Sequence, residues 1–210
     1  MSLKNWYELS IDVSHALKDV QKIFALADTD FFKKLNGAMW TFEHDEVREY
    51  FTDEWIDYMQ SIGLELDIAF AFCRKANNQS PAHIDCLSNT KDIYSIAINW
   101  VLNDNDESYQ VWYSSSEAEE PPMWTTGHYK GHYQINYQNI NKLTEIDRCY
   151  IRQTPVMVRT NIPHNIVHTT TRWSISVRFK VPSYIPKDGK DITWEEQVAI
   201  MKPFIVDTAQ

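Results

Sequence analysis

Residues Asn161 to Lys180 read NIPHNIVHTTTRWSISVRFK, two extended runs joined at Thr169, Thr170 and Thr171. β-Branched residues dominate the stretch, and their stiff χ1 angles favour extended backbone. At a period of two, Ile162, His164, Ile166 and His168 share one face of the first run. In the second run Arg172, Ser174, Ser176 and Arg178 share one face, and Trp173, Ile175, Val177 and Phe179 share the other. The pattern predicts a β-hairpin with one apolar face on a core. Its other face, two arginines and two serines, must line either bulk water or a polar cavity.

The remaining composition narrows the setting for that hairpin. A chain of 210 residues, 43% hydrophobic and 13% aromatic, suffices for one well-buried domain. The formal charge of −9, from 20 basic and 29 acidic residues, argues against a general nucleic-acid or anionic-membrane partner. Cys73, Cys86 and Cys149 are odd in number and form no CxxC pair, so neither a disulfide framework nor a zinc ribbon is indicated. MSLKNWYELS lacks the apolar core of a signal peptide, and no apolar run approaches membrane-spanning length. The expectation is a cytoplasmic protein; its oligomeric state is open.

Taken in order, residues 5–9 read as a short strand. Ser14 reads as the N-cap of a helix carrying Leu17, Val20, Ile23, Phe24 and Ala27. Val47, Tyr50, Phe51, Trp55, Ile56 and Met59 predict one or two amphipathic helices, broken near Thr52 and stopped by Gly63. From Leu64 the period changes to two: Leu64, Leu66, Ile68, Phe70 and Phe72 alternate with Glu65, Asp67, Ala69, Ala71 and Cys73. Further strands are predicted at 82–87, 94–102, 109–114, 132–137, 147–152, 155–160, 163–168 and 171–181. Many short strands without intervening helices predict an antiparallel sandwich or barrel. Thr193 with Glu196 is a capping box opening a short final helix. The expected organisation is a single domain, residues 1–210. Residues 1–63 are helical support, 64–181 the β core, and 182–210 an extension with a short helix.

The chemistry enters at His83-Ile84-Asp85, at the start of a predicted strand behind a proline-containing loop. Strand residues i and i+2 point to one side, so an imidazole and a carboxylate are offered together. His164, on the second-last strand, supplies a third ligand. Two histidines and one carboxylate form the facial triad that leaves three positions open on a ferrous ion. His168 is the alternative distal ligand. It lies only four positions before Arg172, directly across the expected turn, which leaves little room for a ligand between them and favours His164.

His83-x-Asp85, a distal His164 and Arg172-x-Ser174 together resemble the signature of the Fe(II)- and 2-oxoglutarate-dependent oxygenases, and the wording around 155–179 resembles both the aspartyl/asparaginyl β-hydroxylase-like and the small-molecule hydroxylase branches. The resemblance covers roughly residues 64–181. It implies a mostly β fold with flanking helices, built on a double-stranded β-helix, the jelly roll shared with cupins. It also implies that His83, Asp85 and His164 bind iron and are catalytic, while Arg172 and Ser174 hold the cosubstrate 2-oxoglutarate. A small-molecule or peptide substrate and molecular oxygen are the implied partners. The residue chemistry agrees, because a guanidinium fork binds a carboxylate bidentately and keeps its charge in a dry pocket. Arg172 follows His164 by eight positions and His164 follows Asp85 by 79, a short and a long interval for this family.

Two competing functions follow from the same residues. One is a jelly-roll binding module without turnover. The other is a cupin-type metalloenzyme that uses no 2-oxoglutarate, against which Arg172-x-Ser174 argues. His128 and His132 in HYKGH have i,i+4 spacing, but the glycines at 127 and 131 disfavour a helix and no HExxH glutamate is present. Residues 114–131 read instead as a lid over the barrel mouth. Asn99, Trp100, Trp112 and Tyr113 fall on core strands near the expected pocket, and packing is the expected role of the tryptophans.

Overall fold

The computed structural model describes residues 3–28, 37–43, 45–77, 81–87, 96–103, 108–114, 123–126, 132–137, 140–185 and 192–206. Among these, twelve strands form two six-stranded antiparallel sheets. The first sheet has the order β1 (Trp6–Glu8), β10 (Val156–Val158), β5 (Ile96–Val101), β12 (Arg172–Lys180), β3 (Glu65–Arg74), β2 (Gly37–Glu43). The second has the order β7 (Met123–Thr126), β8 (His132–Tyr137), β4 (Ala82–Leu87), β11 (His164–Val167), β6 (Tyr109–Ser114), β9 (Thr144–Tyr150). From β3 to β6, and again from β9 to β12, successive strands alternate between the two sheets. That winding is a double-stranded β-helix, the fold the sequence predicts.

The expected hairpin over 161–180 does not form. β11 pairs with β4 and β6, whereas β12 pairs with β3 and β5, so Thr169–Thr171 crosses between sheets. The backbone groups a hairpin turn would use are taken elsewhere. Thr170 O accepts from His168 Nδ1 at 2.9 Å, Thr171 O accepts from Asn103 Nδ2 at 3.0 Å, and Trp173 N donates to Asn103 Oδ1 at 2.7 Å. A period-two pattern is the same whether a strand pairs with its neighbour or with distant strands, which is why the sequence could not separate the two.

The first sheet is covered on its outer face by helices α1 (Val20–Ala25), α2 (Asp45–Tyr50), α3 (Asp53–Ser61) and α4 (Trp194–Met201). Ser14 is not a helix cap: its N–H donates to Asp12 in a turn at 2.8 Å, and Asp19 caps α1 by accepting from Gln21 N at 2.8 Å. The break at Thr52 is found, with Thr52 Oγ1 accepting from Trp55 N at 3.3 Å to open α3. Gly63 closes α3 at a φ of 86°, a left-handed conformation that a Cβ would strain. The Thr193–Glu196 capping box opens α4. β2 and β7 have no counterpart among the predicted strands. β7 falls within the stretch read as a lid, and the rest of that stretch, with His128, lies outside the described residues.

The two faces of the first sheet follow from register. Ile175, Val177 and Phe179 point outward with Ala69 and Ala71 of β3 and Ile96, Ile98 and Trp100 of β5. They form one buried cluster with Ile23, Phe51, Trp55, Met59 and Trp194. Each large apolar side chain buried there contributes about 1.5–3 kcal/mol. The alanines let the helices approach closely. The opposite face of β12, with Ala97, Asn99 and Val101 of β5, looks toward the second sheet, since Ala97 and Val101 pack with Trp112, Cys149 and Ile151. Among the described residues no helix is long and apolar enough to cross a membrane.

Candidate metal centre and anion seat

β4 carries His83 and Asp85 on one face, as i and i+2 of a strand must be. Antiparallel pairing sets His164, the first residue of β11, directly opposite His83, with ring centroids 4.6 Å apart. His83 Nε2 lies 3.6 Å from Asp85 Oδ1, and His164 Nε2 lies 3.9 Å from Asp85 Oδ2. One donor atom from each of the three falls within 4.8 Å of the others. The structure therefore brings together His83, Asp85 and His164, and leaves His168 outside the group.

The tautomers of both histidines suit metal binding. His83 Nδ1 is 3.0 Å from Pro81 O, and His164 Nδ1 is 2.9 Å from Ile162 O. A carbonyl only accepts, so each Nδ1 holds the proton and each Nε2 keeps its lone pair facing the carboxylate. Burial, reinforced by the neighbouring His83, pushes the pKa of His164 down to about 4, keeping its imidazole in the neutral ligand form. Two imidazole nitrogens and one carboxylate are a donor set suited to ferrous iron with open positions. Asp85 is the most open of the three, with 27% of its side-chain surface exposed against 12% for His83 and 6% for His164. The solvent side of the centre is thus at the carboxylate.

Arg178 belongs to this end of the cavity. Its Nη2 donates to Asp85 Oδ2 at 3.1 Å and its Nη1 to Ser176 Oγ. That contact charge-balances Asp85 and directs Oδ1 toward His83. Cα to Cα, Arg172 lies about 20 Å along β12 from Arg178, but the two side chains lean toward each other, Arg178 onto Ser176 and Arg172 onto Ser174, so the guanidinium groups are far closer than the backbone positions. Arg172 is 3% exposed, and its Nη1 donates to Ser174 Oγ at 2.6 Å. Its Nε has no hydrogen-bond partner, nor do Asn99 Oδ1 on the same wall and Gln110 Nε2 on β6. Gln110 shares its strand face with Trp112, which packs against the first sheet. Buried polar atoms without partners are costly and rare, and these three lie on the facing inner walls of the two sheets.

The other sequence candidates divide by face. Asn99 looks inward, beside Ser176 in register. Trp112 also looks inward but packs, its Nε1 donating to Arg159 O at 2.7 Å. Trp100 lies under the helices, and Tyr113 lies on the outer face of the second sheet, donating to Asn165 at 3.0 Å. Neither lines the cavity. Arg74 and Gln110 do face it and were not singled out from sequence. Carrying the β3 alternation one step past Phe72 puts Arg74 on that strand's inward face, and this signal could have found it.

No family model matches the chain, and no curated protein matches it in sequence. Among solved structures it is similar to vicilin from Corylus avellana (hazelnut), at 8% identity and a TM-score of 0.37 over 71% of this chain and 31% of that one. Vicilin from Capsicum annuum gives 7% identity and a TM-score of 0.36, over 74% of this chain and 31% of that one. A Pseudomonas putida prolyl-4-hydroxylase gives 12% identity and a TM-score of 0.42, over 84% of this chain and 92% of that one. The chain thus spans 31% of the length of each vicilin.

Proposed function

We propose that this chain is an Fe(II)- and 2-oxoglutarate-dependent dioxygenase that hydroxylates a C–H bond of a small molecule or an amino-acid side chain. The observation that supports it is the pairing of His83, Asp85 and His164 with a buried, uncompensated Arg172 farther down the same cavity. His83, Asp85 and His164 would hold the iron through Nε2, a carboxylate oxygen and Nε2. Arg172, steadied by Ser174, would hold the distal carboxylate of 2-oxoglutarate. Bound iron supplies the oxidising chemistry; this chain's residues orient the reactants and keep water out. In the overall reaction one oxygen atom of O₂ enters the substrate hydroxyl and the other enters succinate, with release of CO₂.

Within this reading Arg178 acts on Asp85. By occupying Oδ2 it holds the carboxylate to one ligating oxygen, which keeps positions free for the cosubstrate. The apolar walls from Phe70, Phe72, Ala97 and Val101 lower the local dielectric and strengthen the Arg172–carboxylate contact. Anaerobic titration of the protein with Fe(II) and then 2-oxoglutarate tests the assignment. The expected result is a weak visible charge-transfer band that needs both additions. A protein that binds neither iron nor 2-oxoglutarate would sink the proposal. Iron binding without a 2-oxoglutarate response would leave the cupin-type metalloenzyme.

A further inference from the structure

At the end of β12 away from His83, Asp85 and His164, two arginines are cross-strand neighbours. Arg172 of β12 and Arg74 of β3 are direct partners in the antiparallel ladder and project from the same face. Side chains so placed start about 4.5–5.5 Å apart at Cβ, and like charges there repel. Arg74 is half-buried, with its guanidinium 6.0 Å from the Phe72 ring. Among the described residues neither arginine forms an ion pair. Arg178, the third arginine on this wall, is matched to Asp85. Burial and the charge of Arg74 push the pKa of Arg172 down to about 9, which leaves it charged at neutral pH but poorly accommodated. Burial lowers Arg74 as well. In a chain of net charge −9, two uncompensated cations held together inside the protein point to an anion that joins them.

We propose that Arg74 is a second cation of the cosubstrate seat, so that the distal carboxylate of a 2-oxo dicarboxylic acid is held between the guanidinium groups of Arg172 and Arg74. The inference rests on the assignment of Arg172 as the cosubstrate anchor and adds a residue from a different strand. Arg172 brings its unbonded Nε, and among the described residues Arg74 has no carboxylate partner, so two forks are available to one carboxylate. Gln110, 1% exposed, offers a further unbonded donor from the facing sheet. The unbonded donors from Arg172, Arg74 and Gln110 outnumber the one unbonded acceptor nearby, Asn99 Oδ1, and two of the three carry charge, which favours an anion over a neutral polar group. The seat should therefore discriminate strongly between 2-oxo acids with and without a distal carboxylate.

The test is calorimetric titration of Mn(II)-loaded protein with 2-oxoglutarate and with 2-oxobutanoate, which keeps the 2-oxo acid end and lacks the distal carboxylate. Wild-type protein should prefer 2-oxoglutarate by about a hundredfold. Arg74→Met should weaken 2-oxoglutarate about tenfold, leave 2-oxobutanoate and Mn(II) affinity unchanged, and regain part of the loss as Arg74→Lys. If Arg74→Met binds 2-oxoglutarate like wild type while Arg172→Met does not, the role of Arg74 is overturned and the cosubstrate assignment stands. If wild-type protein binds Mn(II) yet shows no preference for 2-oxoglutarate, both fall. Should Arg74→Met fail to fold, phenylglyoxal modification of wild-type protein decides the matter. With Mn(II) present, 2-oxoglutarate but not 2-oxobutanoate should shield Arg74, and unshielded modification would overturn the inference.

Discussion

The two faces of β12 are built from the same nine residues and serve opposite ends. Outward, Ile175, Val177 and Phe179 are fully buried among apolar side chains from the helices, and every atom there favours the folded state. Inward, Arg172, Ser174 and Ser176 are just as buried, yet they surround charges and unbonded polar atoms that oppose folding. The contrast teaches where stability and function are divided in this fold. The sheet can hold a costly polar wall because its other side is packed under four helices. A second contrast lies within the inner wall. At the metal end Arg178 is matched to Asp85, while at the far end Arg172 and Arg74 face each other unmatched. One end has its charges matched, and at the other no carboxylate among the described residues meets the two arginines.

The strongest way to break that contrast is at the metal end. His164→Ala should abolish iron binding and succinate formation, because it removes one of three ligands. His168→Ala should keep both, since His168 Nδ1 bonds Thr170 O in the crossing between sheets. Anaerobic iron titration of the two variants decides it, and the reverse outcome would move the distal ligand to His168. Next in size is a crossed pair of substitutions on β12. Phe179→Ala should cost about 3–5 kcal/mol of stability in denaturant unfolding while leaving 2-oxoglutarate affinity of the folded protein intact. Arg172→Met should do the opposite, weakening 2-oxoglutarate by about a hundredfold, or about 2.7 kcal/mol, with apo stability unchanged or raised. Equal losses of stability from both would show that the two faces are not divided as described.

The effect that emerges only in alkali concerns Cys149, buried between the sheets. Burial, with Asp147 and Glu8 nearby, pushes its thiol up from 9.0 to about 12. A thiol raised in the folded state releases its proton first in the unfolded chain. Its contribution is therefore whole below pH 9 and is lost as pH rises from 9 toward 12, at up to about 1.4 kcal/mol per pH unit. Unfolding of wild-type protein and Cys149→Ala across that window should differ by this slope. Parallel curves would show that the thiol is not held in its neutral form.

Much of this was legible in order along the chain. The alternation in 172–179 assigned every side chain of β12 to a face, because successive Cβ atoms on an extended strand point oppositely whatever the strand pairs with. His83 and Asp85 had to share a side for the same reason, and Thr52, Gly63 and the Thr193–Glu196 box marked helix ends through local hydrogen bonds and φ. Where local signals competed, the reading slipped. Ser14 looked like a cap, but the Asp12 carboxylate took its N–H and Asp19 took the role. β2 (GAMWTFE) and β7 (MWTT) differ from the predicted strands because neither stretch carries a sustained period-two alternation of apolar and polar residues.

Local facts are therefore written along the chain: which residues alternate, which pairs share a face, and which ligand types are present in order. Partners come from the assembled sheets. The fold separated β11 from β12 into different sheets, opposed His164 to His83, set Arg178 against Asp85 and laid Arg74 beside Arg172. The reason is physical. Side-chain direction is a property of one strand's backbone geometry, whereas register between strands distant in sequence is chosen by the packing of both sheets and the helices upon them, a choice no short stretch of sequence contains.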